Sequence, residues 1–217
     1  MDGFFAFALR YLPYLLKGAV VTAEITAGSF ALSIVFGLIG ALAKASGNRA
    51  LIALASSYVE IIRGTPALLQ IFVVYYGLAS YGLNLSPVTA AVLTFGVIGG
   101  AYVTEIVRAG IEAVDRGQIE AATSLGMAPR SVMQRIILPQ AMFVMLPPFT
   151  NFLISLVKDT SLALVVTVPE LMYRTYDVAS QTFRSMEIYA VAGAIYFAIC
   201  FPLSRLARLL ERKRAPR

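Results

Sequence analysis

Long apolar runs constrain this chain more than any other feature of its sequence. The run from Gly18 to Ala43 is interrupted only by Glu24 and small hydroxyl side chains. Hydrophobic residues fill 59% of the 217 positions, charged residues fill 14%, and the mean hydropathy is +0.77. Because a soluble domain of this size cannot bury so much apolar surface, we expect an all-α integral membrane protein.

The lengths of these runs predict about five transmembrane helices, since about 20 residues cross the hydrocarbon core. After Gly18–Ala43, the region from Ala50 to Ser80 is broken at "RGTP". We therefore expect an interfacial helix ending near Ile62 and a short span from Pro66, with Thr65 as its N-cap. The remaining spans are predicted at Pro87 to Val107, Ala141 to Val168 and Ile188 to Leu203. Residues 1–217 are read as one domain, whose aromatic N-terminal segment lacks signal-peptide features and is retained.

Basic residues predict the orientation of these spans. With the N-terminus outside, the inner side receives the basic C-terminal tail and most other cations: Lys44, Arg49, Arg108, Arg116, Arg130 and Arg135. The outer side keeps only Arg10, Lys17, Arg174 and Arg184. The net charge of +6 is therefore assigned to inner loops and not to nucleic-acid binding.

The stretch "EAATSLGMAPRSVMQRIILP" lies outside the apolar runs and predicts two short helices. Ile119 to Leu125 can form the first, with Gly126 as its left-handed C-terminal cap. Pro129 starts the second helix, and Pro139 is expected to bend the chain toward the next span. We call residues 117–139 the elbow and predict that it lies on the inner membrane face.

Two other interpretations of the elbow are weaker. A DNA-reading helix-turn-helix shows a similar pattern of small and apolar residues, here Ala122, Gly126 and Val132. However, spans begin within a few residues of both ends, so the second helix could hardly enter a major groove. A plain connecting loop would need neither a glycine that ends one helix and a proline that starts the next, nor two ordered helices.

The elbow resembles the EAA signature of ATP-binding-cassette importer permeases. The resemblance holds at each fixed position: Glu120, Ala121, Ala122, Gly126, Ile136, Leu138 and Pro139. Two further stretches, "YVEIIRGTPALLQIFVVYYGL" and "AYVTEIVRAGIEAVDRGQIEAA", resemble the polar amino-acid branch of that family, the histidine/glutamine type. Together the resemblance covers Tyr58 to Leu171.

This resemblance implies a multi-pass permease subunit of a bacterial cytoplasmic-membrane importer for a polar or charged amino acid. Its elbow would be the coupling helix that docks into the ATPase, with these coupling residues: Glu120, Ala121, Ala122, Gly126, Ser131, Arg135 and Pro139. The implied partners are two ATPase subunits, a periplasmic or lipid-anchored binding protein, and a second permease subunit (an identical copy or a paralogue). A permease for a related zwitterion, such as an opine or ectoine, and a non-transporting membrane anchor or sensor are the alternatives.

The chain itself is expected to be no enzyme and to bind no cofactor. "RGTP" is not followed by the Walker pattern, so ATP and its magnesium are assigned to the ATPase subunits. The chain has no histidine, and Cys200 is its single cysteine, which excludes His-based and Cys-cluster metal sites. No serine or aspartate nucleophile has an obvious partner base for hydrolase chemistry.

Ionisable residues inside spans call for an explanation, because each costs about 2.5 to 3.5 kcal/mol at the bilayer centre on insertion scales. Glu24 is expected to pair with Lys17. Glu105 can pair with Arg108 on one helix or line a cavity. Lys158 and the adjacent Asp159 point about 100° apart and cannot satisfy each other.

The family resemblance implies that the "KDTS" segment contributes to a substrate site. The predicted substrate-cavity residues are Glu105, Lys158, Asp159, Thr160 and Ser161. Gly96 and Gly100, four residues apart, are expected to allow close helix packing instead.

Overall fold

The computed structural model describes the backbone of residues 3–214 and the side chains of residues 3–210, and this part of the chain is built from helices. The end of the basic tail lies outside the described residues. The α-helices are α1 (Phe4–Ala45), α2 (Arg49–Gly64), α3 (Ala67–Phe72), α4 (Leu78–Ser80), α5 (Pro87–Glu112), α6 (Arg116–Ser124), α7 (Pro129–Val132), α8 (Leu138–Asp159), α9 (Leu171–Thr182) and α10 (Ser185–Arg214). π-Helical turns join α3 to α4 (Val73–Gly77) and α7 to α8 (Met133–Ile137), and a 3-10 helix (Thr160–Val166) follows α8. The predicted all-α class is confirmed.

Four stretches of the described chain are long and apolar enough to cross a membrane. They are α1, α5, the continuous stretch from α7 through the 3-10 helix, and α10. A fifth span forms if α2 and the segment Ala67–Ser80 are counted as one broken span, which is bent by 103°. The predicted number of about five spans agrees with this architecture.

The first helix is longer than its predicted span. α1 has 42 residues, a length of about 63 Å, so the N-terminal segment and the first span form one helix.

The predicted pair between Lys17 and Glu24 is wrong, since the described residues give Glu24 no ion pair and its side chain is exposed. Seven residues separate the two along α1, a rise of about 10 Å.

The break between α2 and α3 falls at the predicted "RGTP", with different capping. Pro66 is the N-cap and not the first helical residue, and Thr65 is the extended C-cap of α2. The Thr65 hydroxyl donates back to the carbonyl of Ile61 at 2.9 Å, so it does not cap α3. The amide of Gln70 instead bridges the break by donating to the carbonyls of Ile62 and Thr65, at 2.8 and 3.1 Å.

Close packing of α1 against α5 forms the centre of the bundle. A Cβ on Gly96 would lie 2.7 Å from Cβ of Leu32, and one on Gly100 would lie 2.5 Å from Cβ of Phe36. The two backbones can approach because these side chains are missing, which confirms the packing role predicted for both glycines.

The loop before α9 contains a completely buried acid. Glu170 caps α9 by accepting hydrogen bonds from the backbone N–H groups of Met172 and Tyr173, both at 2.7 Å. The Tyr196 hydroxyl of α10 donates to the same carboxylate at 3.3 Å. Burial raises the pKa of Glu170 to about 7, although these donors act in the opposite direction.

Candidate functional site

The first half of the elbow ends in a left-handed glycine turn. Gly126 has φ of 76°, which confirms the prediction of a positive φ. Its N–H donates to the carbonyl of Thr123 at 2.9 Å, and the N–H of Met127 donates to the carbonyl of Ala122 at 3.2 Å. These two hydrogen bonds are those of a Schellman cap, which fixes the direction in which the chain leaves α6.

The second half of the elbow runs directly into a membrane span. α7 starts at Pro129, as predicted, and continues through the π-helical turn into α8. Pro139 does not end the helix, because helical structure continues through this residue, and the predicted bend there stays a prediction. A proline ring clashes with the carbonyl four residues earlier, and the wider π-helical turn relieves this clash at Arg135.

The inner face of the elbow packs on the two helices that it connects. Ala122, Val132 and Ile137 are buried in one cluster with Val107 of α5 and Met145 of α8. Because interiors are close-packed, a displacement of the elbow is transmitted to both helices.

The outer face of the elbow leaves most of the predicted coupling residues accessible. Leu125 is 83% exposed at the tip of the turn. Among the predicted set, Ala122 is buried and Ser131 half-buried, and the exposed members are Glu120, Ala121, Gly126, Arg135 and Pro139. This face combines the large apolar side chain of Leu125 with charges of both signs.

A cavity of about 500 Å³ lies between α5 and α8, near the break that precedes α3. Asn151, Ser155 and Asp159 line its α8 side at four-residue intervals, so they form one polar stripe along the helix. Tyr102 lines the α5 side, and the guanidinium carbon of Arg63 lies 5.3 Å from the centre of the Tyr102 ring. The wall therefore carries hydrogen-bonding groups and one acid, and a cation stands beside it.

Asp159 lacks a bonded partner in this cavity. Its side chain is exposed, and the described residues offer it no hydrogen-bond donor or ion pair within bonding distance. The prediction that Lys158 and Asp159 do not pair is confirmed. A carboxylate in a membrane-spanning helix is expected to face a polar cavity or a cationic group.

The other residues of the predicted cavity set lie elsewhere. Lys158 and Ser161 do not line the cavity, and Thr160 is buried with its hydroxyl donating to the carbonyl of Val157 at 2.8 Å. Glu105 is held between Lys44 Nζ at 2.6 Å and Arg108 Nη2 at 2.9 Å. The structure therefore does not bring Glu105 to the KDTS segment, and its pairing with Arg108, the open alternative, is present.

The predicted cavity set did not include Asn151, Ser155 or Tyr102, all of which line the cavity. The usable signal was the spacing of Asn151, Ser155 and Asp159, which places three polar residues on one face of an otherwise apolar helix.

Residues 33–216 match the family of binding-protein-dependent transport system inner membrane components. The chain belongs to this family. It is therefore a multi-pass transport component of the inner membrane, in agreement with its apolar helices. This membership confirms the importer family that the elbow resembles.

Several relatives are amino-acid permeases. The L-cystine transport system permease protein TcyB of Bacillus subtilis (strain 168) is 40% identical over 204 residues, covering 94% of this chain and 87% of the relative. The glutamine transport system permease protein GlnP of Escherichia coli (strain K12) is 35% identical over 204 residues, covering 93% of each chain.

Solved structures share the fold. A chain from the crystal structure of an amino acid ABC transporter with histidines superposes with a TM-score of 0.92, at 37% identity, over 98% of this chain and 99% of the other. The inward-facing MetNI methionine ABC transporter gives a TM-score of 0.73 at 21% identity, over 93% and 98% of the two chains, which supports the fold alone.

Proposed function

We propose that this permease translocates a polar or charged amino acid through the cavity between α5 and α8. The polar stripe of Asn151, Ser155 and Asp159 on a membrane-spanning helix is the observation that carries this proposal. The relatives include permeases of L-cystine and glutamine transport systems, which supports the amino-acid class.

The charges around the cavity suit a zwitterion. Asp159 can pair with the α-ammonium group or with a cationic side chain, because it has no bonded partner of its own in the described chain. Arg63 does not line the cavity, but its guanidinium lies beside Tyr102 of the opposite wall. The amide of Asn151 and the hydroxyl of Ser155 can then bond a polar side chain.

We propose that the elbow transmits ATP-driven motion from a separate ATPase subunit. Its exposed tip at Leu125 docks on the ATPase, and the buried cluster around Ala122 and Val132 joins the elbow to α5 and α8. These are the two helices that line the cavity. A shift of the elbow therefore changes the distance between the cavity walls. The coupling residues in this proposal are those predicted from the sequence. ATP and magnesium are bound by the ATPase subunit.

Two permease subunits complete the pathway in this proposal. Asn151 and Ser155 of the exposed polar stripe lie about 20 and 26 Å along α8 from Leu138, at the depth of the bilayer core, where lipid offers no hydrogen-bonding partners. An identical copy or a paralogue covers this face. The N-terminus lies outside, where a binding protein delivers the solute, and the C-terminus lies in the cytoplasm.

The substitution Asp159→Asn tests this function, because it removes the charge while keeping the size of the side chain. Loss of a hydrogen bond to a charged group costs about 1.5 to 3 kcal/mol, so we expect transport to fall by about tenfold or more. Uptake of glutamine, cystine and arginine is measured in vesicles containing the permease, its ATPase and its binding protein.

The matched control is Glu24→Gln, which removes another acid from a span but one that does not line the cavity. We expect normal uptake from this control and normal ATPase association from both variants. Undiminished uptake of all three solutes by Asp159→Asn contradicts the proposed cavity.

A further inference from the structure

A second concave region lies among three membrane-spanning helices and shares no lining residue with the solute cavity. It has a volume of about 340 Å³ and is enclosed by α1, α8 and α10. We call it the lateral groove; its walls include Ala27, Phe30, Leu153, Val157, Ile199 and Leu203.

The two threonines of the lateral groove have hydroxyl groups that are already bonded within the protein. The Thr26 hydroxyl donates to the carbonyl of Thr22 at 2.7 Å, and the Thr22 hydroxyl accepts from the N–H of Leu171 at 3.3 Å. The groove therefore presents hydrocarbon and suits an apolar occupant better than water.

A cation stands at one end of the lateral groove. Lys158 directly follows Val157, the groove residue nearest the end of α8, and so lies one residue further along the helix. The side chain of Lys158 is exposed, and the described residues give it no ion pair.

The depth of this cation matches a lipid phosphate. Twenty residues separate Leu138, next to the elbow, from Lys158, which corresponds to a rise of about 30 Å along α8. This rise equals the thickness of the hydrocarbon core. Lys158 therefore lies at the membrane interface away from the elbow. The lateral groove extends deeper into the membrane, because its residue Phe30 lies about 12 Å further along α1 than its residue Thr22.

We propose that the lateral groove binds one acyl chain of an anionic phospholipid whose phosphate pairs with Lys158. The apolar walls accept the methylene groups, and the lysine supplies charge complementarity at the headgroup. A helix of a second copy fits less well, because a helix with its side chains is about 10 to 12 Å across. This lipid site is independent of the transported solute.

The absence of tryptophan from the sequence makes a direct test possible. Phe30→Trp places a single fluorescent reporter in the lateral groove, and Val35→Trp places one on the exposed face of α1 as a control. The full chain is reconstituted in phosphatidylcholine vesicles and titrated with bromine-labelled phosphatidylglycerol or phosphatidylcholine, which quench nearby tryptophan.

We expect the Phe30→Trp reporter to be quenched at about a fivefold lower fraction of phosphatidylglycerol than of phosphatidylcholine. This ratio corresponds to the attraction between one lysine and an anionic lipid headgroup. Lys158→Gln should remove this preference, and Lys17→Gln should keep it. Ala27→Phe, which fills the groove, should weaken quenching by both lipids. Added inorganic phosphate should leave the quenching unchanged, because the acyl chain supplies the affinity.

Four results would overturn the lipid site. The first is a headgroup preference that survives Lys158→Gln. The second is equal behaviour of the Phe30→Trp and Val35→Trp reporters, which indicates bulk lipid only. The third is a groove reporter that neither lipid quenches, which indicates that protein such as a second copy covers the groove. Displacement by inorganic phosphate would assign Lys158 to a soluble anion instead.

Discussion

Two acids in the membrane-spanning part of the chain have opposite surroundings. Glu105 is held by Lys44 from α1 and by Arg108 one turn along α5, at 2.6 and 2.9 Å. Asp159 lines the solute cavity without a bonded partner in the described chain. The first acid therefore ties two helices together, and the second keeps its bonding capacity for a ligand.

Glu170 is the residue whose titration should affect stability most visibly. Burial raises its pKa from the ordinary 4.5 to about 7. Between these two values the folded chain keeps a proton that the unfolded chain loses, so the free energy of unfolding falls as pH rises. The full effect is at most about 3 kcal/mol and is complete above pH 7.

This pH dependence can be measured by thermal denaturation in detergent, followed by circular dichroism between pH 4.5 and pH 8. Glu170→Gln cannot ionise and keeps one acceptor oxygen for the backbone N–H groups of Met172 and Tyr173, each of which bonds a separate carboxylate oxygen of Glu170. We expect the variant to lose the decline in apparent Tm that the unaltered protein shows over this range. Equal declines in both proteins would assign the pH dependence to other groups.

At the scale of the element, the elbow depends on local sequence signals. Gly126 supplies the positive φ, Pro129 starts the second helix, and the cluster around Val132 attaches both to the bundle. Local signals of this kind are readable from sequence because the residues involved are neighbours in the chain. The π-helical turn before Pro139 was not predicted, since a proline can also be accommodated by a kink or a break in the helix.

Gly126→Val tests the turn by conformational strain alone. A Cβ at Gly126 meets no atom within 4 Å, so the cost comes from the left-handed backbone and not from a clash. This cost is about 1 kcal/mol or more. We expect the variant to insert normally in the membrane and to bind the ATPase more weakly in pull-down from membranes.

Gly47→Val is the matched control, because Gly47 has φ of 70° and equally open space but lies in the turn between α1 and α2. It should bear similar strain while keeping ATPase binding. Full ATPase binding and full transport by Gly126→Val would remove the elbow turn from the coupling mechanism.

At the scale of the whole molecule, the sequence predicts features that depend on neighbouring residues or on the length of an apolar run. Long apolar runs predicted the spans, and Gly96 and Gly100 predicted close helix packing without indicating that α1 is the partner helix. The salt bridge from Lys44 to Glu105 joins residues 61 positions apart, and nothing near either residue indicates the other. The solute cavity was only partly predictable, since the face of α8 that meets it is set by tertiary packing.

The orientation of the whole permease is the remaining prediction and underlies the coupling proposal. α8 rises about 33 Å from the elbow to Asp159, so the elbow and α9 lie at opposite ends of the bundle. Ser124, in the elbow, and Ser180, in α9, are both exposed and differ from cysteine by one atom. In a Cys200→Ala background, Ser180→Cys should react with a membrane-impermeant maleimide in intact cells. Ser124→Cys should react only after the cells are opened, because the basic residues place the elbow in the cytoplasm. Labelling of Ser124→Cys from outside would put the elbow beyond the reach of any cytoplasmic ATPase.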